Sequence, residues 1–417
     1  MVKEKKKAMT KRLKRFVVSH PTGNTFVRAL LMELNNRNQL EIFFTTIGTG
    51  VGANLLLTSF CGGKRKYAIP DKMISRQWKP EFMRLLSKGD QAKKRHKADH
   101  SYQALDKKVS NKLCSLTSEV LHAYEDGAYQ TFRRSKDLGI QCSYELPIAH
   151  WATSRRLLAE ESERYPHWEP TLESTREPEE KLFQKEKELR LADRITCPSQ
   201  FVLDSIPSEI RDQIPCQIAH FGSPTHNLNI SFRKKRENGP FKVLFVGSMS
   251  QRKGLADLFE AMKILKKEPV QLSILGQPSM PMEFYYKQYQ DFKYYEPCPN
   301  SKVQKIMQQH DVLVLPSIIE GRALVQQEAL SCGLPIIVTR HAGAEDLIIN
   351  GINGHIVPIR SPEKIAEAIY SMKANGKNKD EVQKLCQEKA SEYTWGNYAQ
   401  KIIEFNLSTP EKRLEVA

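Results

Sequence analysis

The stretch "DVLVLPSIIEGRALVQQEALSCGLPIIVT", residues 311–339, contains two apolar runs separated by a segment with helical spacing. Both runs, residues 312–315 and 334–338, are apolar throughout instead of alternating with polar residues. Strands of this kind are covered on both faces, as in parallel sheets. The strand, helix and strand in this order therefore predict a parallel sheet with helices packed on its two faces.

The same alternation continues on both sides of this stretch. Residues 241–247 and 270–276 are mostly apolar runs that each end at a glycine, and the segment 255–267 between them has helical apolar spacing. The sequence "SPEK" at residues 361–364 is typical of a helix start. The C-terminal half is thus predicted to be a doubly wound domain, which binds ligands at the carboxyl ends of its strands.

The N-terminal half repeats this pattern less clearly. Residues 15–34 indicate a strand, a glycine-containing turn and a helix, whereas residues 60–110 are basic and give no clear assignment. A chain of 417 residues is too long for one ordinary core. The predicted fold class is α/β, with two doubly wound Rossmann-like domains. The predicted bounds are residues 1–220, residues 221–395, and residues 396–417 for a C-terminal helix and tail that packs back on the first domain.

The formal net charge of +16 is concentrated near the N-terminus. Residues 1–110 contain 24 Lys and Arg against 8 Asp and Glu, whereas the remainder is balanced at 40 of each kind. Such a region favours attraction to an anionic partner: a membrane surface, an acidic acceptor or nucleic acid. Few aromatic residues lie among the charges and no nucleic-acid-binding motif is present, so no nucleic-acid partner is expected. A basic tail that only aids solubility is the alternative.

The cysteines and the N-terminus bear on the compartment. Eight cysteines show neither metal-ligand spacing nor a CxxC motif, which suits buried thiols in a reducing compartment. Residues 1–23 have a basic run but no signal-peptide apolar core. The longest uncharged stretch, residues 42–63, is interpreted as a buried strand and a loop, so no transmembrane segment is expected. A cytoplasmic protein is predicted, peripheral on the inner face of a membrane if the basic region meets lipid.

Two carboxylates, Glu320 and Glu328, lie eight residues apart around a predicted helix start. Glu320 follows a strand, and a helix beginning near Arg322 would present free backbone N–H groups, which favour phosphate. At 1.5 Å per residue, Glu328 lies about 12 Å further along the helix, a span comparable to a sugar, a diphosphate and a ribose laid end to end. The loop "GSMSQRKG", residues 247–254, offers a second anion site, because Arg252 can bind phosphate through two N–H groups and Lys253 adds a point charge.

Several segments taken together resemble a known family. They are "FVGSMSQRKG", the spacing from Glu320 to Glu328, "EALSCGLPIIVT" and "NGINGHIVP". In this order they resemble the donor half of retaining family 4 glycosyltransferases, whose GT-B fold has two Rossmann-like domains facing across a cleft. The resemblance covers residues 190–400 well and the N-terminal half only loosely. It implies that residues 1–220 form an acceptor-side domain and residues 221–395 a nucleotide-sugar-binding domain.

The resemblance also assigns roles within the predicted donor site. Glu320 would contact the transferred sugar as a catalytic residue, Glu328 the ribose, and Arg252 with Lys253 the diphosphate. The remaining residues of the predicted donor site are Gly247, Ser248, Arg322, Ala323 and Leu324.

Two positions depart from the family pattern. The family usually has an aromatic residue and a glycine after the first glutamate, where this chain has Arg322 and Ala323. Ala323 can still donate its backbone N–H, but alanine resists a positive φ. Arg322 either reads a carboxylate or phosphate of the donor or faces solvent.

The N-terminal half offers its own candidates. The family often places a histidine at the cleft edge of this domain, and "CSYELPIAHW", residues 142–151, offers His150 as a catalytic residue. Glu145 at the strand end is the alternative, and a purely structural histidine is the other interpretation. Thr22 and Gly23, after the first strand, are predicted to form a phosphate loop of the N-terminal domain.

The expected reaction follows from the resemblance. It implies transfer of a hexosyl-type group from a nucleoside-diphosphate sugar to a lipid, polysaccharide or small-molecule acceptor, with retention of anomeric configuration. The chain has no Asp-x-Asp motif, so neither a metal nor any other cofactor is predicted. The alternatives are a non-catalytic sugar-nucleotide or glycan-binding relative, and a GT-B epimerase or phosphorylase. The intact set of Arg252, Lys253, Glu320 and Glu328 argues against the first, and the lack of a recognisable pyridoxal lysine argues against a phosphorylase.

Overall fold

The structure is a computed structural model that describes residues 14–54, 65–86, 91–172, 177–224, 239–374 and 378–409. The chain divides into two compact units. Unit 1 comprises residues 1–144, 187–194 and 403–417, and unit 2 comprises residues 145–186 and 195–402. The domain bounds inferred from the sequence stay a prediction.

Strands and helices alternate along most of the chain. The strands are β1 (Phe16–Ser19), β2 (Leu40–Thr45), β3 (Thr49–Val51), β4 (Lys66–Pro70), β5 (Ile74–Arg76), β6 (Val120–Tyr124), β7 (Gln141–Glu145), β8 (Arg194–Cys197), β9 (Cys216–Ile218), β10 (Phe241–Val246), β11 (Val270–Leu275), β12 (Phe292–Tyr295), β13 (Val312–Leu315), β14 (Ile336–Thr339) and β15 (Gly354–Val357). The helices are α1 (Thr25–Asn36), α2 (Trp78–Leu85), α3 (Gln91–Lys112), α4 (Tyr129–Asp137), α5 (Trp151–Arg164), α6 (Glu179–Leu191), α7 (Gln200–Ser205), α8 (Ser208–Arg211), α9 (Leu255–Ile264), α10 (Met282–Gln288), α11 (Asn300–Met307), α12 (Leu324–Ser331), α13 (Pro362–Ala374), α14 (Lys379–Ser391) and α15 (Trp395–Leu407).

Unit 1 contains five strands of a sheet, in the order β5–β2–β1–β6–β7. Strand β1 pairs in parallel with both β2 and β6, and its residues Phe16, Val17 and Val18 are fully buried. The apolar run at residues 16–18 therefore forms the predicted strand, because burial on both faces of a sheet requires side chains without polar groups. The end of α15 belongs to the same unit, where the Gln141 amide donates to the Asn406 side-chain oxygen at 2.8 Å.

Unit 2 contains a six-stranded sheet with strand order β12–β11–β10–β13–β14–β15. Every pair in this sheet is parallel, and Val243 is aligned with both Leu272 and Val312. The central strands are almost wholly inaccessible to solvent, as the uninterrupted apolar runs predict. The α/β fold class inferred from the sequence is confirmed.

The strand order of unit 2 locates the crevice. The sequence runs outward from β10 through β11 to β12 on one side, and from β13 through β14 to β15 on the other. The boundary between β10 and β13 is thus a topological switch point, where loops leave the sheet in opposite directions. The segments that follow these two strands, residues 247–254 and 316–323, are the two segments to which the sequence assigned anion binding.

Three further observations concern the predictions for membrane segments and cysteines. Within the described ranges, no helix is both long and apolar enough to cross a membrane. The described part of residues 42–63 forms β2 and β3, and residues 55–64 lie outside the described part of the chain. None of the seven cysteines within the described ranges forms a disulfide. Four of them, Cys142, Cys197, Cys332 and Cys386, are buried as predicted, whereas Cys114 is exposed.

Candidate functional site

The loop after β10 brings two cations to the switch point. Strand β10 is followed by Gly247, with φ of +153°, and by a single 3-10 turn, Gln251–Lys253. Gly254 has φ of +74°, and a Cβ atom there would lie 2.0 Å from the carbonyl oxygen of Pro316. Only glycine therefore allows this close approach to the segment after β13. The contact is reinforced by the Ile318 amide, which donates to the Arg252 carbonyl oxygen at 2.9 Å.

Three of the predicted residues meet in one charged cluster. Nη1 of Arg252 donates to Oε1 of Glu320 at 2.8 Å, and Nζ of Lys253 donates to the same oxygen. Burial alone would raise the pKa of Glu320, but the charges and hydrogen bonds of Arg252 and Lys253 outweigh it and hold the pKa below its usual range. Burial lowers the pKa of Lys253 despite the carboxylate beside it. The cluster thus holds an ionised, mostly buried carboxylate between two cations.

Arg252 keeps part of its donor capacity. Its Nη1 atom also donates to the carbonyl oxygen of Ile319 at 3.1 Å, whereas Nε and Nη2 contact no acceptor among the residues that the structure describes. Arg252 and Ile319 border a small open cleft. The other residues that line it are Ile148, Ala149, Trp151, Ser154, Arg155, Leu158, Glu177, Leu182 and Lys185. The guanidinium can therefore accept a further anionic partner without losing its contact with Glu320.

The start of α12 offers backbone donors beside this cluster. The preceding residue, Ala323, has φ of −69° and ψ of 110°, so the alanine that replaces the usual glycine is not strained. Its own N–H donates to the Ala342 carbonyl oxygen at 3.3 Å. Within the described ranges, the amides of Leu324 and Val325 contact no acceptor. Free N–H groups at a helix start attract anions.

Glu328 lies on the second turn of α12. Oε1 accepts a hydrogen bond from the Asn300 side-chain amide at 3.3 Å, and burial raises the pKa of this carboxyl. Ser248, on the loop after β10, has its hydroxyl 3.4 Å from that of Ser250. The structure thus places Glu328 and Ser248 on the two elements that the sequence assigned to donor binding.

Arg322 has a different environment from the one expected. Its side chain is 0% exposed, and it makes a two-pronged ion pair with Asp346, at 2.7 and 2.9 Å. Further hydrogen bonds go to the Gly343 carbonyl oxygen at 2.9 Å and to the Gln327 side-chain oxygen at 3.2 Å. The guanidinium also lies 5.0 Å from the ring centroid of Tyr393. Of the two alternatives, solvent exposure does not hold, because the side chain is buried and the carboxylate of Asp346 compensates for burial of its charge. The pairing favours a structural role over contact with a donor.

Removing this cation should therefore affect folding. We expect Arg322→Met to lower the free energy of unfolding by about 3–5 kcal/mol, because Asp346 would be left without its partner. Urea denaturation measures the change. The double variant Arg322→Met with Asp346→Leu should recover much of the loss, since it removes both charges. A single variant with unchanged stability but weakened nucleotide-sugar binding would contradict the structural role.

His150 is the N-cap residue of α5. Nδ1 accepts the Ala152 N–H at 3.4 Å, and Nε2 lies 3.1 Å from Oε2 of Glu186. The backbone N–H of His150 donates to the Ser205 hydroxyl at 2.8 Å. The alternative, Glu145, accepts a hydrogen bond from the Tyr398 hydroxyl. Both residues thus have structural partners, and a catalytic role for either stays a prediction.

Thr22 and Gly23 lie in unit 1, in the turn between β1 and α1. The Thr22 amide donates to Nδ1 of His20 at 3.1 Å, and a Cβ atom on Gly23 would lie 3.1 Å from the Tyr67 hydroxyl and 3.2 Å from Nη2 of Arg28. The turn therefore lies beside a cation. Phosphate binding by Thr22 and Gly23 stays a prediction.

Sequence reasoning missed the residues that hold the cationic loop in place. The side-chain amide of Gln251 donates to the carboxylate of Glu161 at 2.6 Å and to that of Asp257 at 2.8 Å. Arg360 pairs with Glu161, and Arg164 pairs with Asp257 at 2.6 Å. Glu161 and Arg360 are 199 positions apart, so no local spacing could indicate their contact. The only available cue was the position of Gln251 next to Arg252.

Comparison with known proteins finds sequence similarity mainly in the C-terminal half of the chain. Residues 227–392 match the family "Glycosyl transferases group 1". D-inositol 3-phosphate glycosyltransferase of Corynebacterium urealyticum is 27% identical over 118 residues, which are 28% of each chain. An uncharacterized glycosyltransferase of Methanocaldococcus jannaschii is 27% identical over 174 residues, or 39% of this chain and 43% of the relative. The chain thus matches less than half the length of these relatives.

Solved structures match over nearly the whole chain. Sucrose-phosphate synthase from Thermosynechococcus elongatus has a TM-score of 0.67 at 16% identity, covering 94% of this chain and 98% of that one. Anabaena HepE, solved in complex with UDP and glucose, has a TM-score of 0.59 at 14% identity, covering 95% of this chain and 100% of that one. The likeness establishes a shared fold.

Proposed function

We propose, from the premise that residues 227–392 belong to the glycosyl transferases group 1 family, that this chain is a glycosyltransferase that uses a nucleoside-diphosphate sugar. The observation that carries the proposal is the cluster of Arg252, Lys253 and Glu320 at the switch point of unit 2. Cations, free helix N–H groups and a carboxylate in one place match a diphosphate joined to a hydroxylated sugar. HepE, which shares the fold, is described in complex with UDP and glucose.

Each member of the cluster has a distinct task in this proposal. The diphosphate takes the free donors of Arg252 and replaces Glu320 as the partner of Lys253. Charge that develops on the leaving diphosphate is then stabilised by groups that are already in position. Glu320, released from one cation, accepts hydrogen bonds from sugar hydroxyls. Glu328 accepts from the ribose, and the N–H groups of Leu324 and Val325 reach the phosphate.

We further propose that the anomeric configuration is retained. The acceptor hydroxyl attacks from the side that the leaving group vacates, so that its oxygen bonds to the anomeric carbon as the bond to phosphate breaks. The acceptor proton passes to an oxygen of the departing diphosphate. No side chain then forms a covalent bond with the sugar.

The reaction can be tested with a panel of nucleotide sugars. Release of nucleoside diphosphate, with proton NMR of the product to assign the anomeric configuration, would support a retaining transferase. Calorimetric binding of a nucleotide sugar without turnover, across a panel of candidate acceptors, would instead favour the non-catalytic alternative. A changed sugar on the nucleotide would favour an epimerase. If no nucleotide sugar binds or reacts, the proposal is wrong.

Catalysis is proposed to need no metal ion. The cations of Arg252 and Lys253 supply the charge stabilisation that a divalent ion provides elsewhere. We therefore expect turnover to stay within about 2-fold after chelator treatment and dialysis, since side-chain charges remain in place. Inactivation by the chelator, followed by recovery on adding back Mg²⁺ or Mn²⁺, would contradict this expectation.

The acceptor and its location are further proposals. The positive charge of residues 1–110 favours an acceptor at an anionic surface, reached by peripheral attachment to a membrane. Residues 1–13, which include Lys5, Lys6, Lys7, Lys11 and Arg12, lie outside the described part of the chain.

A further inference from the structure

Helix α2 exposes an unusual set of apolar side chains. Trp78 is 47% exposed, Met83 64%, Leu85 58%, and Leu86, which directly follows the helix, 64%. On a helix these residues and Phe82 share one side with Lys79, whereas Glu81 and Arg84 lie on the other. Four of the thirteen large apolar side chains exposed in the described chain thus fall within nine residues, which makes a local patch rather than scattered exposure.

The opposite side of α2 is fixed to unit 1 through a buried acid. Glu81 is 2% exposed and accepts hydrogen bonds from Arg65 at 2.7 Å and from Arg84 at 2.7 and 2.8 Å. The hydroxyl of Ser101, on α3, donates to the same carboxylate at 3.2 Å. Burial alone would raise the pKa of Glu81, but the hydrogen bonds and charges of Arg84 and Arg65 outweigh it and hold the pKa below its usual range. A carboxylate satisfied in this way anchors the helix, so its apolar side is held outward.

The start of α3 adds positive charge near this patch. Residues 91–97 contain four Lys and Arg, one His and no acidic residue, and they lie between Asp90 and Asp99. Lys79 on α2 and Lys93 on α3 are both exposed. A short element with outward apolar side chains and adjacent cations has the composition of an interfacial membrane-binding segment.

We propose that α2 and the first turns of α3 form a docking surface for an anionic lipid bilayer. The inference rests on the proposed function, whose partner surface it identifies. A soluble polyanion would be bound by the cations alone and gives no reason to expose Trp78, Met83, Leu85 and Leu86. A protein partner fits poorly, because a helix of eight residues is only about 12 Å long, while a stable interface buries about 800 Å² on each partner. A bilayer accepts such a small patch, since apolar side chains enter the acyl region while the cations meet the headgroups.

Vesicle binding tests the apolar part of this surface. The full chain is mixed with vesicles of equal parts phosphatidylcholine and phosphatidylglycerol, or of phosphatidylcholine alone, and co-sedimentation is measured over a salt series. We expect binding to the anionic vesicles only. Met83→Ser, Leu85→Ser and Leu86→Ser together should weaken it by about 100-fold at constant salt, because three apolar side chains lose their insertion. The matched control replaces Ile264, Ile349 and Ile356, exposed apolar residues of unit 2, with serine and should bind like the unaltered chain.

A charge variant and a spectroscopic signal separate the contribution of the cations from that of the inserted apolar side chains. Replacing Lys79, Lys93 and Lys97 with glutamine should weaken binding at low salt and make binding less dependent on salt. Trp78 should give a blue-shifted emission that is quenched by brominated lipid. Trp78→Phe should abolish this signal while the protein still sediments with the vesicles.

The outcomes distinguish this proposal from the proposed function. Vesicle binding needs no donor, and nucleoside diphosphate release from a soluble acceptor mimic needs no vesicle. If the triple serine variant binds anionic vesicles as tightly as the unaltered chain, α2 is not the docking element. If no variant or salt condition gives vesicle binding, or if a soluble polyanion binds while vesicles do not, the bilayer proposal is overturned. In each case the transferase assay still reports on the donor site.

Discussion

Replacing Glu320 with glutamine is expected to lower turnover by about 100-fold or more while nucleoside diphosphate binding persists. The carboxylate is proposed to hold sugar hydroxyls most tightly in the transition state, and hydrogen bonds to charged groups contribute about 1.5–3 kcal/mol each. The structure adds a second expectation. Because Glu320 competes for Arg252 and Lys253 in the free protein, Glu320→Gln should leave nucleoside diphosphate affinity unchanged or raise it.

Steady-state kinetics and calorimetric titration measure the two effects separately. Glu260→Gln is a suitable control, because Glu260 is a glutamate of α9 whose ion pair with Lys263 is largely exposed. Unchanged turnover in Glu320→Gln would remove this residue from the site. Parallel losses of turnover and of diphosphate binding would mean that Glu320 only holds the two cations in place.

The second large effect is expected when Arg252 and Lys253 are both replaced with alanine. Nucleoside diphosphate binding should weaken by about 100-fold or more, since two charge-assisted contacts are lost. Binding of the nucleoside without phosphates should change little. Titration with both ligands gives an internal control for folding, because a misfolded variant would lose both. Equal losses for the two ligands in a folded variant would show that the pair does not touch phosphate.

A conservative variant refines this test. Arg252→Lys keeps the charge but removes the planar group with its two free donors, so an intermediate loss is expected if those donors bind phosphate in a two-pronged manner. Full retention of diphosphate affinity in Arg252→Lys would mean that the charge alone matters at this position.

The sequence was informative where function depends on neighbours in the chain. The loop from Gly247 to Gly254 and the segment containing Glu320 each follow an apolar strand, and parallel strands place their carboxyl ends at one edge of the sheet. The proximity of Arg252, Lys253 and Glu320 could therefore be predicted, although Arg252 and Glu320 are 68 positions apart. Periodicity predicted most strands of unit 2 within a few residues, because burial on both faces leaves an uninterrupted apolar run.

The sequence was uninformative where a side chain's role depends on a distant partner. Arg322 departs from the family pattern, yet its sequence neighbours do not indicate that Asp346 and Tyr393 surround it. His150 was singled out for its position after a strand, and the structure makes it a helix cap beside Glu186. In both cases the residue type was compatible with a functional or a structural role.

By itself, the sequence determined the α/β class, the alternation of elements and the residues that meet at the carboxyl edge of the second sheet. These features follow from local periodicity and from the geometry shared by all parallel sheets. Only the tertiary structure decided that Glu320 pairs with both cations in the free protein, that Gln251 is held by Glu161 and Asp257, and that Glu81 anchors α2 with its apolar side outward. The physical reason is that burying a charge is stable only beside a compensating partner, and the partner's identity is fixed by packing between segments that are far apart in the chain.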